Sequence, residues 1–205
     1  MQRHFCFSMS LVFWALMLVG FSDNWLFDVG QESNSDPKML VHAFFAFCWY
    51  SILVVQTAMV KFQRLSAHKS VGVAGVVAYC GFFLTTSFLY AHKLINMGPP
   101  APLQLLNMTL FVYATILMVW AFWVRHTRTE THKCNIMVGT LMIVEPALSR
   151  AIGHLFGNGA EPIWLFSYVL FFAIYFWKYK LRAQLVIGFV IWLLGTINII
   201  INMAA

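Results

Sequence analysis

The sequence predicts an all-α fold, a polytopic membrane bundle of seven transmembrane helices that forms one domain over residues 1–205. Hydrophobic residues make up 61% of the chain and charged residues only 10%, whereas soluble domains carry about 25% charged residues. The apolar residues fall into seven runs, and a helix needs about 20 apolar residues to cross a bilayer. The basic residues lie mainly in alternate connecting loops, which is the charge pattern of a multi-pass membrane protein.

The apolar runs set the predicted spans, of which the fifth is interrupted by charged residues and the sixth is short. We expect the first run to be a true helix and not a cleaved signal peptide, because no small-x-small cleavage site follows Gly20. The longest connection is 23–38, too short for a further domain. The seven spans are predicted at 5–22, 39–61, 70–91, 103–124, 135–154, 163–178 and 182–203.

The distribution of charge predicts the orientation. Ten of the 13 Lys and Arg residues lie in one set of loops: Arg3, Lys61, Arg64, Lys69, Arg125, Arg128, Lys133, Lys178, Lys180 and Arg182. The opposite loops hold only Lys38 and Lys93, and they hold most of the acids: Asp23, Asp28, Glu32, Asp36 and Glu161. By the positive-inside rule the N-terminus is cytoplasmic and the C-terminus is outside.

One stretch of sequence occurs twice, 64 positions apart. Lys61, Arg64, His68, Lys69 and Gly75 recur in order and spacing as Arg125, Arg128, His132, Lys133 and Gly139. Each copy joins two apolar runs, so spans two and three form one hairpin and spans four and five form another with the same orientation. We therefore predict a parallel hairpin repeat about a pseudo-two-fold axis along the membrane normal. Between the copies, Pro99, Pro100 and Pro102 mark the outer turn.

Glu145 and Arg150 are the charged residues within the fifth span. Ionisable residues inside a membrane are costly and are functional candidates by default. Five residues turn a helix by about 140°, so these two side chains do not share a face. Arg150 and His154, four residues apart, do share one. The alternative roles are a structural hydrogen bond for Glu145 and snorkelling of Arg150 to the outer surface.

Three histidines, His42, His92 and His154, lie near the outer ends of spans two, three and five. The predicted outer leaflet also holds further polar residues, whereas the inner leaflet offers little beyond Gln56. This pattern predicts a cavity that opens outward. Either the three histidines bind a b-type haem or a transition metal there, with Glu145 and Arg150 supporting the ligands or handling protons, or they have an ordinary polar role without a ligand. The accompanying outer polar residues are Thr85, Thr86, Tyr90, Asn107, Ser149, Asn198 and Asn202.

His68 and His132 are matched by the repeat, and a b-type haem between helices needs two facing imidazoles. However, His68 and His92 are 24 positions apart, about 36 Å of helix, which exceeds the hydrocarbon core of about 30 Å. These inner histidines therefore lie at the interface, where they serve either as ligands or as interface anchors and helix caps.

The motifs around these histidines carry a resemblance. His42, Gln56, Arg64-x-x-x-His68-Lys69-x-x-Gly72 and Arg128-x-x-x-His132-Lys133-x-x-x-Met137, followed by Pro146 and Arg150, resemble a group of poorly characterised bacterial membrane proteins with H-[RK]-x-x-[GM]-type motifs on consecutive hairpins. Residues 38–155 are also loosely similar to cytochrome b561-like cores and to membrane proteins that assist oxidase assembly. The resemblance implies haem-linked chemistry, although span 103–124 contains no histidine.

Three functions follow as alternatives. The first is electron transfer by a haem or metal at the outer histidines. The second is a cofactor-free transporter, receptor or small-molecule binder that uses the same cavity, and the third is a structural or assembly subunit of a membrane complex. The chain lacks the motifs of zincins and nucleotide-binding loops. We expect a multi-pass protein of the cell membrane, the inner membrane in a Gram-negative bacterium, with lipid and membrane-protein partners or an oligomer and no nucleic acid.

Overall fold

A computed structural model describes residues 2–27, 30–157, 159–180 and 182–204, and the regular structure in them is entirely helical. Asp28, one of the acids predicted in the outer loops, lies outside these residues. A short 3-10 turn covers Glu32–Asn34. The α-helices are α1 (Gln2–Gly20), α2 (Ser22–Trp25), α3 (Pro37–Lys61), α4 (Leu65–Met97), α5 (Pro102–Val124), α6 (Thr129–Ile143), α7 (Glu145–Phe156), α8 (Glu161–Tyr179) and α9 (Ala183–Ala204).

Five of these helices, namely α3, α4, α5, α8 and α9, are long and apolar enough to cross a membrane. The pair α6 and α7, bent by 49°, supplies a sixth span if the pair is counted as one. In α1, His4–Gly20 is a shorter apolar helix. The predicted class, an all-α multi-pass membrane protein, is therefore confirmed, whereas the count of seven spans, the orientation and the packing of the repeat stay predictions.

The helix of the third predicted span is longer than the sequence indicated. The span was predicted at 70–91, but α4 has 33 residues, which corresponds to about 50 Å of helix. Because the hydrocarbon core is only about 30 Å thick, both ends of α4 extend beyond it. The apolar run marks the part of the helix that fits the membrane, and helix propensity continues the helix past both ends.

The chain divides into two compact units, residues 1–95 and residues 96–205. In the first unit, α3 begins with Asp36 as N-cap and Pro37 in its first turn. The Asp36 carboxylate accepts a hydrogen bond of 2.9 Å from the backbone N–H of Lys38. This is a helix start that the residue types favour, because Asp satisfies a free N–H and Pro needs none.

Helix α1 packs along α3. Phe13 is completely buried in this contact, and a buried hydrogen bond of 2.7 Å joins the hydroxyls of Ser10 and Thr57. The indole N–H of Trp14 donates to the Ser51 hydroxyl over 3.1 Å. Polar contacts of this kind add to packing between helices in lipid, where no hydrophobic force drives association.

Helices α3 and α4 approach each other closely at Gly81. A Cβ at this position would overlap the ring of Phe45 from α3. The rings of Trp49 and Tyr79 meet nearby, with centroids 4.9 Å apart. The absence of a side chain at Gly81 thus lets a bulky aromatic ring seat directly on the backbone of α4.

The second unit is organised around α6. Seven consecutive residues, from Met137 to Ile143, are buried. Seven residues make nearly two turns, so every side of the helix is covered along this stretch. Helix α6 contacts α5, α9 and α7, and α8 contacts α7 and α9. Helices α5 and α9 approach each other where Gly195 faces Leu106. Helix α6 is thus the central helix of this unit.

The central helix breaks at Val144, immediately before Glu145 and Pro146. Proline has no backbone N–H, and its ring clashes with the carbonyl of the residue four positions earlier, so it ends or kinks a helix at this point. The chain resumes as α7, in which Ala147 and Leu148 donate their backbone N–H groups to the carbonyl of Val144. The break turns the helix by 49° and places Glu145 at the bend.

The contact at Gly81 gives the first testable prediction. Gly81→Ala should lower the free energy of unfolding by about 1–3 kcal/mol, because the added methyl group displaces the ring of Phe45. The measurement is thermal unfolding in detergent. Gly72→Ala on the same helix is the matched control: nothing lies within 4 Å of a Cβ there, so no loss is expected. Phe45→Ala should reduce the cost of Gly81→Ala, and equal costs in both backgrounds would contradict the steric explanation.

Candidate functional site

The five predicted site residues are divided between the two units. His42 and His92 lie on α3 and α4 of the first unit, and Glu145, Arg150 and His154 lie on α7 of the second. Among the residues that the structure describes, no three His, Cys, Asp or Glu side chains are grouped as a metal ion would need. The geometry therefore provides no support for a metal site at His42, His92 and His154.

His42 is held by α4. Its Nδ1 atom lies 3.3 Å from the Thr85 hydroxyl and 3.4 Å from the Thr86 hydroxyl, and its ring stacks on Phe82 with centroids 5.4 Å apart. Both threonine hydroxyls donate to backbone carbonyls one turn earlier, over 2.8 Å and 2.7 Å. A hydroxyl has a single proton to donate, so Nδ1 carries the proton in this contact. His42 thus cross-links α3 and α4 as a hydrogen-bond donor.

His92 lies in the C-terminal part of α4, with its ring centroid 6.1 Å from that of Phe88. It is near enough to Asp36 to act on that carboxyl electrostatically. The pKa of Asp36 is lowered, mainly because its carboxylate accepts the backbone N–H of Lys38 and to a small extent because of His92. His92 therefore lies near Asp36, at the start of α3.

Arg150 and His154 are exposed on α7, whereas Glu145 on the same helix is buried. This agrees with the helical spacing, because residues four apart share a face and residues five apart do not. Glu145 and Arg150 thus lie on different sides of α7, and their predicted support of the histidine ligands or handling of protons stays a prediction.

Glu145 is completely buried in the second unit. The indole N–H of Trp164 on α8 donates to Oε1 of the carboxylate over 3.2 Å. Asn107 of α5 and Ser149 of α7 also lie beside the carboxylate. The second oxygen, Oε2, is buried and has no hydrogen-bond partner among the described residues. A buried carboxylate without a paired cation is costly, so this position favours the binding of a proton or a cation.

An aromatic group surrounds the donor to Glu145. The ring of Trp164 lies 5.8 Å from Tyr168 and 6.2 Å from Trp192, and Tyr168 stacks on Trp192 at 5.3 Å. Trp192 is followed one turn later on α9 by the buried Thr196. Within the described part of the chain, four buried polar atoms in this region have no hydrogen-bond partner: Glu145 Oε2, Asn107 Oδ1, Trp192 Nε1 and Thr196 Oγ1.

Two further polar residues, Asn135 and Thr140, are completely buried on α6, on the side of Glu145 that leads to the basic residues at the start of the helix. Neither is among the polar residues named from the sequence. The contrast between a polar outer half and an apolar inner half stays a prediction. Hydropathy gives the depth of a residue along a helix, but it does not show that neighbouring helices cover that end of α6.

His132 joins the two helices of its hairpin. Its Nδ1 atom lies 3.0 Å from the carbonyl oxygen of Ala121 in the last turn of α5. His68 and His132 occupy equivalent places, since each backbone N–H donates to the carbonyl of an arginine four residues earlier, Arg64 or Arg128. The ring of His132 thus makes a tertiary contact at the start of α6, and the choice between ligand and anchor stays a prediction.

No protein-family model, curated protein or solved structure is similar enough to this chain to match it.

The bond from Trp164 to Glu145 gives the second prediction. Trp164→Phe should lower the free energy of unfolding by about 1–3 kcal/mol, because it leaves a buried carboxylate oxygen without its donor. In a Glu145→Leu background the same substitution should cost less, since no acceptor remains to be satisfied. Thermal unfolding of the four variants of this cycle measures the difference.

Trp177→Phe is the control, because Trp177 lies on the same helix and is 70% exposed; it should be close to neutral. An equal cost of Trp164→Phe with and without Glu145 would show that the indole acts through packing alone.

Proposed function

We propose that this protein is a proton-coupled membrane transporter in which Glu145 binds the coupled proton. The observation that carries the proposal is the completely buried carboxylate at the break between α6 and α7, with one oxygen unpartnered among the described residues. Interrupted helices and intramembrane carboxylates are the features on which ion-coupled carriers build their binding sites. Such a carboxylate has two chemical options: it is neutralised by a proton, or it binds a cation.

The surroundings of Glu145 favour a proton over a metal cation. Metal ions such as Na⁺ or Ca²⁺ need several oxygen ligands, and the groups closest to this carboxylate include the indole N–H of Trp164, which is a donor only. A proton requires only one oxygen, and Oε2 is available. An N–H donor on Oε1 and a proton on Oε2 can coexist on one carboxyl group.

Electron transfer by a haem or metal, the first alternative from the sequence, has no observation in its favour here, and neither does a purely structural role. The resemblance to membrane proteins with repeated H-[RK]-x-x-[GM]-type motifs stays a prediction, as does the transfer of haem-linked chemistry from it. The absorption spectrum of the purified protein tests the haem alternative directly.

The proposal includes seven spans, with α1 as the first, a cytoplasmic N-terminus and an internal hairpin repeat. Helix α4 begins at Leu65 and α6 begins at Thr129, 64 positions apart, which is the spacing of the sequence repeat. The hydrogen bonds from α1 to α3 at Ser10 and Trp14 support α1 as a helix that runs beside a spanning helix. The two hairpins of the repeat fall in separate units, consistent with a duplicated building block.

The orientation gives the third prediction. In right-side-out vesicles a membrane-impermeant maleimide should label Ser35→Cys and should not label Ser66→Cys, and inverted vesicles should give the reverse. Both serines are exposed; Ser35 precedes α3, and Ser66 lies in the first turn of α4, just beyond the other end of α3. The parent protein with its own cysteines is the control. An N-terminal epitope accessible on the same side as Ser35→Cys would contradict a spanning α1.

The proton-binding role gives the fourth prediction. Proteoliposomes on a solid-supported membrane should show a transient charge displacement after a pH jump, because a proton that reaches a buried carboxylate crosses part of the membrane field. Glu145→Gln should abolish this signal, since an amide does not titrate. Glu161→Gln, at an exposed acid at the start of α8, should retain it.

A second measurement does not depend on folding of the variant. Dicyclohexylcarbodiimide reacts with protonated carboxyl groups in apolar surroundings, so in the wild-type protein it should modify Glu145 and leave Glu161 unmodified, as determined by mass spectrometry. A full charge signal in Glu145→Gln, or modification that avoids Glu145, would overturn the proposal.

A further inference from the structure

Asn135 is a second buried polar residue on the central helix, and it is not part of the site at Glu145. Its side chain is completely buried, and neither Oδ1 nor Nδ2 has a hydrogen-bond partner among the described residues. Leaving a buried polar group unpaired costs about 1–3 kcal/mol. Buried polar groups that lack a protein partner are commonly satisfied by internal water. The amide of Asn135 therefore points to bound water inside the bundle.

Further buried polar groups lie at depths between Asn135 and Glu145. The two residues are ten positions apart, about 15 Å along α6 and the start of α7. The buried Thr140 lies midway, turned by about 140° around α6 from Asn135. From α8, the completely buried Tyr175 directs its hydroxyl to the carbonyl oxygen of Met137 over 3.4 Å. Tyr168, also completely buried, is two turns nearer to Trp164 on the same helix face. We call Asn135, Thr140, Tyr168, Tyr175 and Glu145 the polar file.

The far end of the polar file lies close to the basic end of the bundle. Asn135 is six residues from the start of α6, about 9 Å. The adjoining loop between α5 and α6 carries the exposed Arg125 and Arg128, and Lys133 pairs with Glu130 at 3.0 Å. Water at Asn135 would thus lie within about two helix turns of the solvent on this side, while Glu145 lies deep in the bundle.

We propose that the polar file holds a chain of internal water that carries protons between Glu145 and the basic, cytoplasmic end of the bundle, with Asn135 as its entry. This rests on the proposed role of Glu145 and names the side from which its proton exchanges. In each transfer, a water or hydroxyl oxygen gives one proton to the next oxygen and receives one proton from the preceding oxygen. No group is oxidised or reduced. The last transfer places the proton on Oε2 of Glu145.

The ionisable side chains that face this interior are few. Within the described residues they are Tyr113 from α5, which donates its hydroxyl to the carbonyl of Gln184 on α9 over 2.6 Å, Cys134 on α6, and Tyr168, Tyr175 and Tyr179 from α8. None is a carboxylate or a basic side chain. Glu145 is thus the carboxyl group of the polar file, and the hydroxyls serve as relays.

The experiment compares pH jumps from the two sides of the membrane. The basic end of the bundle faces the medium in inverted vesicles, and the opposite end does so in right-side-out vesicles. Asn135→Leu should slow the charge displacement of inverted vesicles by about ten- to a hundredfold, because a proton must then cross an apolar section without water. The signal of right-side-out vesicles should be unchanged. Asn135→Ser, which can still bind water, should largely restore the rate.

Asn202→Leu is the matched control, because Asn202 is an exposed asparagine of the same unit; it should leave both signals unchanged. The failure of this proposal is distinguishable from that of the proposed function. If Glu145→Gln keeps the signals, the proposed function fails. If Glu145→Gln loses them and Asn135→Leu behaves as wild type in inverted vesicles, or slows both orientations equally, the water chain is wrong and the role of Glu145 stands.

A measurement on the wild-type protein covers the case in which Asn135→Leu does not fold. Radiolytic hydroxyl-radical footprinting oxidises buried side chains that adjoin bound water. Tyr175 and Cys134 should be oxidised although both are completely buried, whereas Met9, buried in the first unit, should not. Absence of oxidation at both Tyr175 and Cys134 would overturn the proposal.

Discussion

The break of the central helix at Pro146 determines the chemistry of the second unit. In a continuous helix, residue 145 and the residues after it would follow the axis of α6. The bend of 49° instead starts a new helix at Glu145. The carboxylate is thereby brought to the junction of α5, α7 and α8, where Asn107 and Trp164 reach it. The surrounding aromatic group depends on this placement.

The first unit shows what the same stretch of chain does without that break. Positions 81 and 82 correspond in the repeat to Glu145 and Pro146, and they are Gly and Phe. There α4 runs through without interruption, and the ring of Phe45 occupies the space at Gly81. At these matched positions of the sequence, the first hairpin has an aromatic ring against the helix backbone, and the second has a buried carboxylate. Two adjacent positions of the sequence repeat therefore differ both in residue type and in the course of the helix.

Much of the fold could be predicted because hydropathy and charge report depth directly. Long apolar helices occur at five of the seven predicted runs, and the start of α6 follows the start of α4 at the spacing of the sequence repeat. Among the described residues, the three histidines predicted as a metal site are not grouped as metal ligands. Hydropathy gives the depth of a residue along its helix but not the direction of its side chain. His42 turns to Thr85 and Thr86, and His154 is exposed. The rotation of each helix and its neighbours are set by packing, which a single sequence does not specify.

Asn135 and Glu145 are both buried polar residues, and burying each of them has a cost in stability. Leucine at position 135 would remove an unsatisfied amide, and leucine at 145 would remove a buried carboxylate, so a bundle that served only as a scaffold would be more stable without them. Water can satisfy Asn135 on α6, and a proton can neutralise Glu145 at the start of α7, so each cost falls when its own partner is present.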